Sequence, residues 1–530
     1  MEETDVVVMF GSNARDAHPI FFHHVIKAVR RGARLYVVDP RHTATAAWAT
    51  AWAPVNIGAD IAFANAIAFV LLEEGLVDTD FVRRATSGFD AWASSVAKYR
   101  PEDVEHITGV DPALVRKIAR DYGRADRAMI CWTLGITEHH NAVDNVLALI
   151  NLALATGHVG RWGSGLNPLR GQNNVQGGGD MGALPHKLAG FMDVEYPDNR
   201  SRCESVWGTP DAILPKMGWH LTEMFEAMHR QELRALWVLG ENPAQSEANV
   251  GHAIHALEGL ELLVVQDMFL TKTAEMADIV LPATAAWVES EGTVTNSERR
   301  VQRCRKALDG PPGARDDIEI LHDVARRVGV DLGVPTPALA WEELRKVSPM
   351  HAGMSYERLE QLGGIQWPCP DETSEGSAFL HGRLWEEPRG GPAAPFSVVE
   401  WQPVAEPADA DYPLLLTTGR KLDSYNTGVQ SGHLGAPLSK REALELAPAD
   451  AVRYGVAEGD VVRIRSRRGA VECPVRLDPL LRPGLAFMTF HSPDVVDTNQ
   501  LTIDAVDPRS GTAEFKATAI RIDRVQPGAK

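Results

Sequence analysis

Two stretches of the chain share one hydrophobic pattern. Residues Asp5 to Phe10 (DVVVMF) form a short apolar run that ends in Gly11-Ser12-Asn13. A helical pattern follows from Pro19 to Arg31, and LYVVDPR then predicts a second strand with Asp39 and Arg41 at its end. Much later, LWVLGENP repeats the opening: an apolar run, then Gly240-Glu241-Asn242. A helical stretch covers roughly Ala248 to Leu257, and the strand LLVVQD closes on Asp267. Gly11 and Asp39 are 28 residues apart, Gly240 and Asp267 27. Each copy therefore predicts a strand, a tight glycine turn, a helix, and a strand with an acid at its tip.

That order suits a doubly wound nucleotide site. The glycine lets the backbone approach a phosphate, and the helix N-terminus offers free amides and partial positive charge. The acid can hydrogen-bond a ribose or base. Neither copy has the full GxGxxG, so a dinucleotide of the NAD kind is not supported. Two copies at matched spacing point to two nucleotide-bearing groups, or one nucleotide used twice. A duplicated fold without a ligand leaves the same pattern.

More α/β units fill the interval. RAMICWTLGIT (Arg127 to Thr137) predicts a strand running into Gly135, and NAVDNVLALINLALATG a buried helix ending at Gly157. ADIVLPAT (Ala277 to Thr284) predicts a strand stopped by Pro282. The segment after it, WVESEGTVTNSERRVQ, reads either as a charged surface ribbon or as the polar wall of a cofactor cleft. DDIEILHDVARRVGV is an amphipathic helix pattern. Proline, glycine and acids dominate between Gly363 and Pro413, which predicts a surface connector. From Tyr412 the strands are short and β-branched, with turn signals about every ten residues, which suggests a small β-barrel. TTGR and NQLTIDAVDPRSGTAEFK are polar loops of that barrel, either ligand contacts or ordinary loops.

Composition narrows the field. The chain has 530 residues, which at about 150 per domain gives three or four domains. Nothing approaches a transmembrane run. A formal charge of -18 argues against nucleic-acid or anionic-membrane surfaces, so an anionic ligand needs a local positive site. The N-terminus enters a strand with no signal-like segment, and Arg30-Arg31 closes a helix rather than leading a hydrophobic run. The five cysteines are an odd number with no CxxC, so a disulfide or zinc framework is not expected and a reducing compartment fits.

The stretch Leu166 to Pro185, LNPLRGQNNVQGGGDMGALP, is the most unusual. Glycine costs about 1 kcal/mol per helical position relative to alanine, so the stretch reads as a loop. Arg170 offers a planar fork of donors suited to a carboxylate or phosphate. Gln172, Asn173 and Asn174 can read the edge of a heterocycle. A solvated glycine-rich connector is the plainer alternative.

Taken together, FGSNARDAHP, VVDPRHTATA, NPLRGQNNVQGGGDMGALP, LGENPAQS, QDMFLTKTAEMADIVLP, ESEGTVTNSERRVQ, TTGR and NQLTIDAVDP resemble a known family over nearly the whole chain. It is similar to the molybdenum- or tungsten-dependent formate dehydrogenases that bind two molybdopterin guanine dinucleotides. The Arg170 segment resembles the formate branch specifically. The resemblance implies two pseudo-symmetric doubly wound α/β domains plus a C-terminal β-barrel of the double-psi type. Its divisions would be 1–172 and 173–285 for the two α/β domains, 286–400 for a connecting region and 401–530 for the barrel.

By position, Arg170 resembles the arginine that holds the formate carboxylate in a dry pocket beside the metal. Gln172 and Asn174 would sit beside the cofactor. Gly11, Asn13, Asp39, Arg41 and Asp60 would hold one guanine dinucleotide. Gly240, Asn242, Gln266, Asp267, Thr271 and Asp278 would hold the other. The barrel would close over both with Thr418, Gly419, Arg420, Asn499, Asp507 and Lys516. The implied reaction takes formate to CO2 by transfer of a hydride or its equivalent to the metal's terminal ligand. Implied partners are formate and an iron–sulfur or NAD-linked electron-transfer subunit, with no nucleic acid, no membrane span and a cytoplasmic location.

The family pattern also includes a cysteine cluster for a [4Fe-4S] centre and a cysteine or selenocysteine metal ligand followed by a histidine, none of which this sequence carries. It resembles the family from just after that ligand, as a fragment of a larger product or as half of a split enzyme. The [4Fe-4S] centre is thus expected only on the missing segment, and no metal ligand is assigned here. His18, His23, His139 and His140 read as surface or helix histidines. Other readings are a different family member, such as a nitrate reductase, and a catalytically inactive cofactor-binding fragment.

Overall fold

Val6–Phe10 and Arg34–Val38, the apolar runs of the opening copy, and Ala128–Trp132, from the interval after it, each form a parallel strand. The structure, a computed structural model, describes residues 1–209, 214–422, 424–428 and 442–525. Its chain divides into two units. Met1–Leu169, Gln245–Gly251 and Phe379–Lys530 form the first; Arg170–Ala244 and His252–Ala378 form the second.

The first unit carries a five-stranded parallel sheet in the order Ala51–Ala53, Arg34–Val38, Val6–Phe10, Ala128–Trp132, Gly165–Pro168. The order reverses between Val6–Phe10 and Ala128–Trp132, and doubly wound sheets bind ligands at such a switch point. Helix Asp60–Glu73 is apolar on every face (IAFANAIAFVLL) and is accordingly buried on nearly all of them. Phe63 on it meets Phe10 edge-on at 6.1 Å. Helix Ala142–Thr156 ends at Gly157 with a left-handed cap, as its sequence predicts.

The same unit contains a closed six-stranded barrel. Its order is Leu414–Thr418, Leu485–Met488, Leu444–Leu446, Ala470–Leu477, Val461–Arg465 and Thr518–Arg524. Two of the pairings, Leu414–Thr418 with Leu485–Met488 and Leu444–Leu446 with Ala470–Leu477, are parallel, and the others are antiparallel. Alternation along Ala470–Leu477 places Val471, Cys473 and Val475 inside.

The second unit repeats the parallel theme with Ile279–Pro282, Leu262–Asp267 and Ala235–Leu239. Val238, Leu263 and Val265 face helices Leu221–His229 and Val250–Glu258 through Phe225, Met228 and Leu257. A hairpin, Gly292–Thr295 with Arg300–Cys304, is extended by Ile365–Gln366.

Three expectations need correction. The stretch from Gly363 to Pro413 is no mere surface connector: Leu384, Phe396 and Val399 lie in the core of the first unit. Apolar side chains spaced along a Pro/Gly-rich chain bury one at a time, without a periodic pattern. The glycine stretch is not all loop, because Val175–Asp180 is a short helix. Asn174 starts it at φ +59°, and Gly177 lies so near that a Cβ there would come within 2.0 Å of Asn174 Oδ1. His139 is no surface histidine but is buried against Glu514 Oε1 at 3.2 Å.

Candidate cofactor and substrate site

The two copies match bond for bond. Gly11 N donates to Val38 O at 2.8 Å, and Gly240 N to Gln266 O at 2.9 Å. Both glycines lie at positive φ, +51° and +65°. Asn13 Oδ1 accepts from Thr45 N at 3.3 Å and Thr45 Oγ1 at 3.0 Å. Asn242 Oδ1 accepts from Thr273 N at 3.1 Å and Thr273 Oγ1 at 2.8 Å. Those threonine oxygens in turn accept from Arg15 N at 2.9 Å and Ala244 N at 3.0 Å. Asp39 Oδ1 accepts from Arg41 N, and Asp267 Oδ1 from Phe269 N, both at 2.9 Å. Each turn is thus braced by an asparagine–threonine pair between the first strand's tip and the segment after the second.

In the first unit the predicted residues gather at the C-terminal edge of the sheet and the adjoining barrel. Gly11 approaches Gly135 so closely that a Cβ on Gly135 would fall 2.5 Å from Gly11 Cα. The Arg41 guanidinium lies 3.3 Å from the centre of the Phe487 ring and 3.4 Å from Glu445 Oε2. A Cβ on Gly419 would meet that same ring at 3.0 Å. Lys516, nearly buried, reaches Glu138 Oε2 at 2.6 Å and Thr418 Oγ1 at 3.4 Å. Arg420 donates to Asn426 Oδ1 at 2.6 Å and lies 4.3 Å over the Tyr425 ring. Arg41, Arg420 and Lys516 thus lie near this edge, Arg41 paired with Glu445 and Lys516 with Glu138.

Burial pushes the Asp39 carboxyl up to about 6, with Asp60 adding to the rise and the Arg41 backbone N–H opposing it. Burial likewise raises Asp60 to about 6, opposed by His139. Asn499 and Asp507 serve the chain itself. Asn499 Nδ2 donates to Gln245 O at 3.0 Å, and Asp507 Oδ2 accepts from Val143 N at 3.0 Å, capping helix Ala142–Thr156.

The raised carboxyls have a testable sign. The native state holds protons that the unfolded chain releases near 3.8. Stability from this pair therefore falls as pH rises from about 4 to about 6. In the cofactor-free chain, Asp39→Asn is expected to gain on wild type as pH rises from 4 to 7, on a scale of about 1.36 kcal/mol per pKa unit. Urea unfolding at the two pH values checks this; a constant difference counts against a raised Asp39.

In the second unit, Gln266 Nε2 donates to Asp317 Oδ1 at 2.6 Å, while its buried Oε1 has no partner. Asp267 is raised by partial burial. Thr271 Oγ1 accepts from Ala274 N at 3.2 Å. Asp278 is not brought to this edge. It precedes strand Ile279–Pro282 at the opposite end of the sheet, where Oδ2 accepts from Leu263 N at 2.7 Å. Thr50 occupies the matching place in the other copy, with Oγ1 accepting from Leu35 N at 3.1 Å.

Arg170, Gly171, Gln172 and Asn173 are exposed, so the dry pocket expected around Arg170 is not formed by this loop. Arg170 Nε donates to Gln176 Oε1 at 3.2 Å. Asn174 Oδ1 accepts from Thr295 N at 2.8 Å, tying the loop to the hairpin. That hairpin segment joins Asn174, Trp287, Trp341 and Tyr356 around a cavity of about 320 Å³, with Ser290 and Cys304 among its lining. It is therefore a wall, and not only a surface ribbon. Sequence reading missed Phe487, Glu514 and the Gln176–Asp180 pair. The four-residue spacing of the last was visible, but a run of glycines hid the helix that makes it meaningful.

The residues fit a cofactor with two nucleotide arms. Each copy offers a glycine turn at positive φ and a strand-tip carboxylate, the first adds cations for a diphosphate, and the buried Ser12 Oγ, Arg41 Nε and Gln266 Oε1 lack partners.

Comparison with known proteins agrees. Residues 1–327 match the molybdopterin oxidoreductase family model, and 414–519 the molydopterin dinucleotide binding domain. The chain is 38% identical over 531 residues to F420-dependent formate dehydrogenase 2 subunit alpha of Methanococcus maripaludis, covering 99% of this chain and 77% of that protein. It is 35% identical over 530 residues to formate dehydrogenase H of Escherichia coli, covering 99% and 73%. Assimilatory nitrate reductase catalytic subunit of Bacillus subtilis is more distant at 31% over 531 residues, covering 98% and 74%. Acetylene hydratase from Pelobacter acetylenicus shares the fold, with a TM-score of 0.71 at 20% identity over 98% of this chain and 78% of that one.

Proposed function

Because this chain belongs to the molybdopterin oxidoreductase family, with formate dehydrogenase alpha subunits among its relatives, we propose that it oxidises formate to CO2 as a catalytic subunit. Its cofactor is molybdenum, or tungsten, carried by two molybdopterin guanine dinucleotides. When bound, that group supplies the two-electron acceptor.

Arg170 binds the formate carboxylate through its fork of donors and so fixes the direction of the C–H bond. Gln172 and Asn174 border the cofactor. Gly11, Asn13, Asp39, Arg41 and Asp60 hold one nucleotide arm, and Gly240, Asn242, Gln266, Asp267 and Thr271 the other. On the barrel, Thr418, Gly419, Arg420 and Lys516 also bind the cofactor, while Asn499 and Asp507 fix the loops beside them. Electrons pass to an iron–sulfur or NAD-linked subunit. Among the described residues no helix is long and apolar enough to cross a membrane, and a cytoplasmic location is part of this proposal.

The observation that carries this reading is the duplicated brace, Asn13 with Thr45 and Asn242 with Thr273, around two glycine turns. Formate-dependent dye reduction by protein produced with molybdate tests it, alongside metal and nucleotide analysis. Turnover with two guanine nucleotides per metal is expected. Bound metal without turnover would instead identify an inactive cofactor-binding protein, and turnover of nitrate alone a nitrate reductase.

A further inference from the structure

Behind Arg170 a chain of polar contacts runs from the exposed guanidinium to buried Asp180 and His351, and the proposed chemistry has not used it. Gln176 receives Arg170 Nε–H on Oε1 and donates from Nε2 to Asp180 Oδ1 at 2.9 Å. The other oxygen of Asp180 accepts from Trp367 Nε1 at 2.9 Å. His351 Nε2 lies 3.9 Å from that oxygen, and its Nδ1 meets Ser348 Oγ at 2.7 Å. Asp180 and His351 are both fully buried. Two backbone N–H groups, from Gly190 at 2.7 Å and Phe191 at 3.3 Å, donate to the Asp180 carbonyl and pin the end of the short helix.

A buried carboxylate is costly unless its charge is matched. Here two neutral donors hold it, and Arg170 is the cation whose field reaches it, through Gln176. A carboxylate ligand is gripped by the two Nη groups of an arginine, and an anchor at Nε sets the plane in which that fork lies. Helical spacing supplies the geometry, since Gln176 and Asp180 are four apart on Val175–Asp180 and stack on one face.

We propose that Gln176 and Asp180 are positioning residues for formate: Asp180, held by Trp367, aims the guanidinium of Arg170 through the amide of Gln176. This rests on the reading of Arg170 as the formate anchor, so the test must separate the two. In the metal-loaded enzyme, Gln176→Ala is expected to raise KM for formate roughly 10- to 50-fold while kcat changes less than about threefold, the size of one hydrogen bond to a charged group. Metal content should not change. In an Arg170→Ala background the same substitution should add nothing, because its effect runs through Arg170. A purely structural role would instead lower kcat and metal content, and would persist in that background.

Asp180→Asn, which keeps the size and loses the charge, should shift KM the same way; if it does not fold, Gln176→Ala decides alone. An unchanged KM in Gln176→Ala, with Arg170→Ala strongly impaired, overturns the relay and spares the anchor. Near-normal formate affinity in Arg170→Ala overturns both.

Discussion

Replacing Arg170 with alanine in the metal-loaded enzyme should lower kcat/KM for formate roughly a hundred- to a thousand-fold, the range seen when one donor to a developing anion is removed. The size of the substrate sets this expectation. Formate has three heavy atoms, and at a ceiling of roughly 1.5 kcal/mol per atom its whole binding energy is about 4.5 kcal/mol. That corresponds to an affinity no better than about the millimolar range. A single guanidinium can therefore carry most of the recognition. Arg170→Lys should recover part of the loss, since it restores charge without the planar fork. Steady-state kinetics with metal analysis decides the matter: a nearly normal KM at full metal occupancy removes Arg170 from the substrate site.

The second large effect is structural. Gly135→Ala puts a methyl 2.5 Å from Gly11 Cα and 2.6 Å from Gly11 O. Both obstacles are backbone, held by Gly135 N to Gly11 O at 3.2 Å and by Thr133 Oγ1 to the same oxygen at 2.6 Å. Nothing flexible can yield, so the turn at Gly11 and the short helix Leu134–Thr137 must part. A loss above about 3 kcal/mol, or failure to fold, is expected, together with loss of a guanine nucleotide. Gly240→Ala is the control from the other copy. It has the strained φ of +65° but no protein atom within 4 Å, so a loss of only about 1 kcal/mol and a chain that still folds are expected. Thermal unfolding and nucleotide release on acid treatment measure both. Similar behaviour of the two variants would mean that the close approach of Gly11 and Gly135 does not hold the loop.

The duplication was legible because its signals are local: a strand, a glycine and an acid lie within one βαβ unit. The braces were not, because Thr45, in a loop, and Thr273, in the short helix Lys272–Glu275, are polar residues whose partners, Asn13 and Asn242, lie about 30 positions earlier. The glycine stretch shows the opposite failure. Its composition argued against a helix, yet Gly177 is small because Asn174 folds back over it. Likewise Asp278 has the residue type of a nucleotide contact. Its carboxylate instead substitutes for the Thr50 hydroxyl as an acceptor from a strand N–H at the far end of its sheet. Side-chain type indicates what a residue can do, and the register of a parallel sheet decides at which end it does it.

The first unit is assembled from pieces far apart in the chain. Phe396 packs on Trp92 with ring centres 4.7 Å apart, and Leu384 and Val399 share a core with Phe63. Roughly 200 residues separate Leu169 from Phe379. At ribosomal speeds of about 5–20 residues per second, the nascent sheet waits on the order of 10–40 s for its missing aromatic cover. During that wait Trp92 and Phe89 offer a sticky surface to holdase chaperones, and the edge that receives the first nucleotide cannot be completed before the barrel strands have left the ribosome.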